Sequence, residues 1–200
     1  MNNFPNLLSL LLLIVLIVTP ASAQNAPALD AKNGFRDAKL GMPLSSFKGL
    51  KKDVEVSEGT YTFYNRPTDK LKIGDIDVKE IAYRFYHNKL SAVIINAQAG
   101  EGYNLSTTFS ETYGKPRTYQ LADDPEGYKL SMAMTNNQLT GLVWEGRSVK
   151  MIMWFGIANS SEHNFRDCTV VISSKAINAE VKRDENNLKR QKINKRTADL

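Results

Sequence analysis

The acid–base chemistry open to this chain is bounded by two histidines. His163 stands in Asn159-Ser160-Ser161-Glu162-His163-Asn164, which sets hydroxyl, carboxylate and imidazole close together. Neighbours along a loop do not make a triad, because the base must meet its nucleophile in space and be oriented by a third group. No G-x-S-x-G elbow is present. A small secreted hydrolase using His163 or a carboxylate pair is therefore an alternative reading, and no residue is assigned as catalytic. His87 falls between two apolar runs, where a solvated turn residue is the simpler account.

Metal and cofactor patterns are equally sparse. There is no H-E-x-x-H and no Cys/His spacing suited to zinc. Asp75-x-Asp77 and Asp123-Asp124-x-Glu126 offer hard oxygen donors, yet both lack the ligand count and glycine placement of a calcium loop. Gly100-Glu101-Gly102 is too short to cradle a phosphate. The expectation is no metal and no cofactor. Cys168 is the single cysteine, which excludes an internal disulfide, and its apolar setting in Cys168-Thr169-Val170-Val171-Ile172 reads as a buried structural thiol.

Binding chemistry is better represented. Tyr61, Tyr64, Tyr83, Tyr86, Trp144 and Trp154 are many aromatics for one sheet, and strand alternation cannot turn all of them inward. Rigid aromatic rings supply contact area at small entropic cost. Tyr64, Tyr86, Trp144 and Trp154 are the candidate contact residues.

The elements that must position these residues centre on residues 80–116. Ile81, Tyr83 and Phe85 alternate with Ala82, Arg84 and Tyr86, the period of a strand with one buried face. Residues 90–97 are almost wholly apolar, as in a strand covered on both faces. The polar His87-Asn88-Lys89 between them predicts a hairpin turn. A phase change between Val78 and Ile81 predicts a bulge near Lys79. Asn104 is a suitable N-cap for a helix presenting Leu105, Phe109, Thr112 and Tyr113 on one face, closed by Gly114 and Pro116. Further strands are expected at residues 60–64, 70–73, 130–135, 139–144, 149–155 and 167–173. The predicted fold is α+β: a mainly antiparallel sheet, one short helix packed on a face, and a C-terminal helix.

Residues 1–23 read as a signal peptide. Leu7 to Val18 is apolar but short for a stable membrane anchor, and Ala21 and Ala23 form an A-x-A cleavage site. The n-region contains no Lys or Arg, which departs from the usual pattern. Residues 24–33 are expected to be a flexible N-terminus, 34–174 a single domain, and 175–200 a basic, partly helical tail. That tail holds eight Lys or Arg against four Asp or Glu, so most of the net charge of +5 resides there. Export to the periplasm or medium makes nucleic acid an unsuitable partner, while a basic tail suits weak contact with an anionic membrane surface.

The order of these pieces resembles a class of small secreted bacterial domains of unknown function. The resemblance is carried by residues 35–41, 61–64, the I-x-Y-x-F hairpin of 81–95, the Y-G-x-P of 113–116 and the hairpin of 144–149. More remotely, Gly41-Met42-Pro43 and Gly114-Lys115-Pro116 are similar to elements of the assembly lipoprotein BamE and of the β-lactamase inhibitor proteins. The chain lacks the lipobox cysteine of the former and the paired cysteines of the latter, so the resemblance implies a fold and transfers no activity. The functional expectation is an exported, non-catalytic binding domain of the bacterial envelope, its partner a protein or another envelope component. Alternatives are the hydrolase and a peripheral membrane or cell-wall protein held by the basic tail.

Overall fold

The alternating segment and the apolar run form the two longest strands, β6 (Ile76–Tyr86) and β7 (Lys89–Ala97). A computed structural model describes residues 26–53, 61–98, 100–120, 140–155 and 168–198. His87 and Asn88 turn the hairpin with φ of 45° and 60°, the left-handed pair that a two-residue turn between twisted strands requires.

Before this hairpin come a short helix α1 (Pro27–Lys32), the ribbon β1 (Gly34–Phe35) and β2 (Ala38–Lys39), and a 3-10 turn at Leu44–Ser46. Three short strands follow: β3 (Lys51–Lys52), β4 (Thr62–Asn65) and β5 (Lys72–Ile73). After it come α2 (Gly102–Tyr113), β8 (Arg117–Gln120), β9 (Thr140–Glu145), β10 (Val149–Phe155), β11 (Cys168–Ser174) and α3 (Lys175–Ala198). The main sheet has the order β3-β4-β6-β7-β11-β10-β9-β8, with β5 also pairing β6. Its pairings are antiparallel. The fold is α+β, with one short helix on the sheet and another at the C-terminus, as the sequence predicts.

The first sheet face carries Ile81, Tyr83, Phe85, Val93, Ile95, Met151, Met153, Val170 and Ile172, all buried. Leu105 and Phe109 of α2 lie in the same core, and Phe109 meets Trp144 edge-on at 6.0 Å. The second face is apolar too: Ala92, Ile94 and Val171 form one buried cluster, and Val143, Ile152 and Trp154 another. Central strands of this kind read as continuous apolar runs because neither face is free for water.

Lys79 falls at a register shift between Val78 and Glu80, where the phase change predicts a bulge, although β6 is flanked there by β5 and β7. A second irregularity makes Ser91 the extra residue of β7. Its fully buried hydroxyl donates to the Arg84 carbonyl at 2.9 Å and accepts from Arg84 Nε at 3.1 Å. Burial is tolerated because both roles of the hydroxyl are used.

Two expectations are corrected. Residues 24–33 do not form a flexible N-terminus in their described part. Leu29 of α1 is fully buried, and the Ala26 N–H donates to the Glu145 carbonyl at 3.1 Å, so the domain begins before residue 34. α2 begins at Gly102, with Glu101 as N-cap, and not after Asn104. Gly102 packs under Phe155 and Cys168, and an added Cβ would meet them at 3.0–3.3 Å. Asn104 instead donates from Nδ2 to Glu101 Oε2 at 2.8 Å. The predicted signal peptide (1–23), the strand at 130–135, the acidic tip at 123–126 and His163 lie outside the described residues.

Candidate functional site

The four aromatics expected to make contacts are not a surface. Trp144 is 2 % exposed, Trp154 4 % and Tyr86 4 %, while Tyr64 is half-buried and packs edge-on against Phe85 at 5.3 Å. Alternation assigns side chains to faces, and here both faces are buried. Trp144 also spends its Nε1 proton on the Gly114 carbonyl at 2.7 Å, holding the end of α2 on the core.

An ionic cluster around Arg66 is half-buried, with Asp69 turned inward and Asp37 exposed at its rim. Arg66 donates from Nη1 and Nη2 to the two oxygens of Asp37 at 2.7 and 2.8 Å, and from Nε to Asp69 Oδ1 at 2.8 Å. Tyr83 donates to Asp69 Oδ2 at 2.6 Å and accepts from Arg66 Nη2 at 3.1 Å. Burial, then the Asp69 carboxylate, raises the Tyr83 pKa, so the phenol is a fixed donor with no capacity as a base near neutrality. The Asp37 carboxyl is pulled down to about 2, chiefly by the Arg66 hydrogen bonds against some desolvation. This cluster clasps the β1–β2 turn, the loop at 66–69 and β6 together.

A polar groove of about 330 Å³ lies between the β5–β6 turn and the start of α2. Its lining includes Asp75, Glu101, Asn104 and Thr107, with the Tyr103 ring 77 % exposed at its edge. The groove is lined by side chains of the β5–β6 turn and the first turns of α2 and carries no further assignment.

The surface that stands apart is α3. Ser174 caps it, its Oγ accepting from the Ile177 N–H at 3.3 Å. Lys175 Nζ then donates to Glu145 Oε1 at 2.9 Å and to the Gly146 carbonyl at 3.2 Å, fixing the helix root to the β9–β10 hairpin. The Lys175 ammonium, opposed by partial burial and assisted by Arg117, holds the Glu145 carboxyl below its usual range. Ile177 and Val181, one turn apart, bury against Tyr86. Asn178 accepts from Arg84 Nη2 at 3.3 Å and donates to Ser173 Oγ at 3.3 Å. The Tyr86 hydroxyl donates to Asp184. Burial, then that carboxylate, pushes the Tyr86 pKa up to about 12.

Beyond this docked half the helix changes character. Every residue from Asn186 to Thr197 is exposed. Lys189, Arg190, Lys192, Lys195 and Arg196 lie in that stretch without one Asp or Glu. Leu188 and Ile193 are 57 % and 58 % exposed. At 1.5 Å per residue these twelve positions make an arm of roughly 18 Å.

Comparison with protein-family models, with curated proteins and with solved structures finds no match.

Sequence reasoning placed the basic charge in this tail and made it partly helical. It also expected the tail to dock weakly at its start, with Ile177 and Val181 on a shared face, and the burial of those two residues against Tyr86 bears that out. His87, read as a solvated turn residue, stands beside that docked half: its Nδ1 is 3.8 Å from Glu180 Oε1. Among the described residues no helix is long and apolar enough to cross a membrane.

Proposed function

We propose that this protein is an exported, non-catalytic interaction domain of the bacterial envelope, which uses the cationic half of α3 to engage an anionic membrane surface. Export rests on the leader-like residues 1–23, and an envelope destination fits a chain whose single thiol is buried. The observation that carries the reading is the exposed arm at 186–197, with five cations, no anions and two apolar side chains in solvent.

The alternative contact surface, an aromatic sheet face, loses its support because Tyr86, Trp144 and Trp154 are buried. A solvated arm needs no apolar residues, whereas Leu188 and Ile193 can enter a headgroup layer beside the cations. Each Lys or Arg near an anionic leaflet contributes about 1 kcal/mol, so five of them supply up to roughly 5 kcal/mol at low salt. That suits reversible peripheral attachment. The docked half, held by Ile177, Val181 and Lys175, keeps the arm at a fixed angle to the sheet.

Vesicle co-sedimentation of the chain from Gln24 tests this. Binding is expected to phosphatidylcholine vesicles containing phosphatidylglycerol and not to phosphatidylcholine alone. It should disappear as salt rises from about 0.1 M to about 1 M, where the screening length falls from about 10 Å to about 3 Å. Removal of residues 186–200 should abolish it. Equal binding with and without those residues would overturn the proposal.

A further inference from the structure

We propose that His87, Glu180 and Asp184 form a binding site for a divalent transition-metal ion of the zinc class, joining the β6–β7 turn to the docked half of α3. One ligand atom from each residue lies within 4.8 Å of the other two. The residues come from two elements 93 positions apart, so the convergence is a product of the tertiary fold.

Each donor is aimed by something else. His87 sits at a left-handed turn position, and its ring stacks on Tyr86 with centroids 4.1 Å apart and planes 24° from parallel. That stacking presents the ring edge, which carries the nitrogens, toward the helix. Glu180 and Asp184 are one turn apart on α3 and therefore share a face. Tyr86 donates to Asp184 Oδ2, leaving Oδ1 available. A hydrogen bond from behind is the usual way a ligating carboxylate is oriented.

The donor set selects the ion. One imidazole nitrogen and two carboxylate oxygens match the three-protein-ligand zinc pattern, with water completing the shell. Magnesium and calcium favour an all-oxygen environment and gain less from the imidazole. Ligands at about 2.0–2.2 Å from a tetrahedral ion are separated by roughly 3.3–3.6 Å, so the trio must close by about 1 Å. His87 has the freedom to do so, its side chain being 65 % exposed, and Glu180 is 33 % exposed. Two carboxylates at i and i+4 repel on a bare helix, and a bound cation relieves that repulsion. The site is independent of the membrane reading, since all three ligands precede the exposed arm.

Titration of the chain from Gln24 with Zn²⁺, followed by calorimetry, is expected to show one equivalent bound in the micromolar range. His87→Asn tolerates the same left-handed turn and should weaken that binding at least tenfold, as should Glu180→Gln. His163→Ala should leave it unchanged. Zn²⁺ should also raise the thermal midpoint of the unaltered chain and not that of His87→Asn. Undiminished stoichiometric binding by a folded His87→Asn variant, its loss in His163→Ala, or equal binding of Mg²⁺ would overturn the assignment. Retained vesicle binding in His87→Asn would leave the membrane reading standing on its own.

Discussion

The Asp30 carboxylate occupies the space in which Gly146 would carry a side chain. A Cβ added at Gly146 would lie 2.3 Å from Asp30 Oδ1. Oδ1 accepts from the Ser148 N–H at 2.9 Å, the Ser148 hydroxyl at 2.9 Å and the Val149 N–H at 3.0 Å, while Oδ2 accepts from the Arg147 N–H at 2.6 Å. The β9–β10 turn is thus built around a carboxylate supplied by α1. Burial raises the Asp30 pKa, and these four donors more than offset it, so the net displacement is downward.

Asp30→Ala should destabilise the fold by about 1–2 kcal/mol, the lower part of the range for hydrogen bonds to a charged group because the site is partly solvated. Gly146→Ala should cost a similar amount by pushing the carboxylate out of the turn. The double variant should be little worse than either single one, since both remove the same contacts. Urea denaturation of the four proteins measures the coupling. Fully additive losses would mean that the glycine and the aspartate act separately.

The core hairpin was legible because its information is local. Alternation marks Ile81, Tyr83 and Phe85, polarity marks the turn, and a phase slip marks the bulge at Lys79. The Asp30 turn was illegible because its two halves are more than a hundred residues apart and neither half alone has a pattern. The aromatic reading failed for a different reason: periodicity says which side chains share a face, and nothing about what lies over that face. α1 was missed because a single Leu29 in a polar stretch carries too little periodic signal, yet one fully buried leucine is enough to dock six residues. The His87 cluster shows only its helical half in the sequence, as Glu180 and Asp184 one turn apart.

Acid should loosen the Arg66 clasp. The Asp37 carboxyl is held at about 2 in the folded protein, against 3.8 for its ordinary value. A carboxyl depressed by folding contributes stability that is fully present above 3.8 and is lost as pH falls toward 2. Asp37→Asn should therefore flatten the fall in urea midpoint across that window while lowering stability slightly at neutral pH. The Asp37 side chain is 66 % exposed, so salt should blunt the difference. Parallel pH profiles for the two proteins would show that Asp37 is ionised alike in the folded and unfolded states.

Lysine should not replace Arg66. Nη1 and Nη2 of one planar guanidinium serve Asp37, Nη2 also reaches Tyr83, and Nε reaches Asp69, whose side chain is only 6 % exposed. An ammonium is a point charge without that fork. Arg66→Lys should lose roughly 2–3 kcal/mol, short of the 3–5 kcal/mol expected when a fully buried pair is broken. Chemical denaturation measures the loss, and a variant within about 0.5 kcal/mol of the parent would show that charge alone suffices.

The two halves of α3 should separate in stability as they do in burial. Val181 is 1 % exposed and packs with Ile177 on Tyr86, so Val181→Ala removes buried methyl groups and leaves a gap. A loss of about 1–2 kcal/mol follows, since the transfer term and the cavity term add. The residues from Asn186 to Thr197 bury nothing against the sheet. Removing residues 186–200 should therefore shift the thermal midpoint of the domain little, while lowering the helical signal in far-ultraviolet circular dichroism. A Val181→Ala variant that unfolds in parallel with the parent would mean that the helix root is not held by its apolar contacts. A truncated chain as destabilised as Val181→Ala would mean that the outer half supports the fold, and would remove the reason for treating it as a free cationic arm.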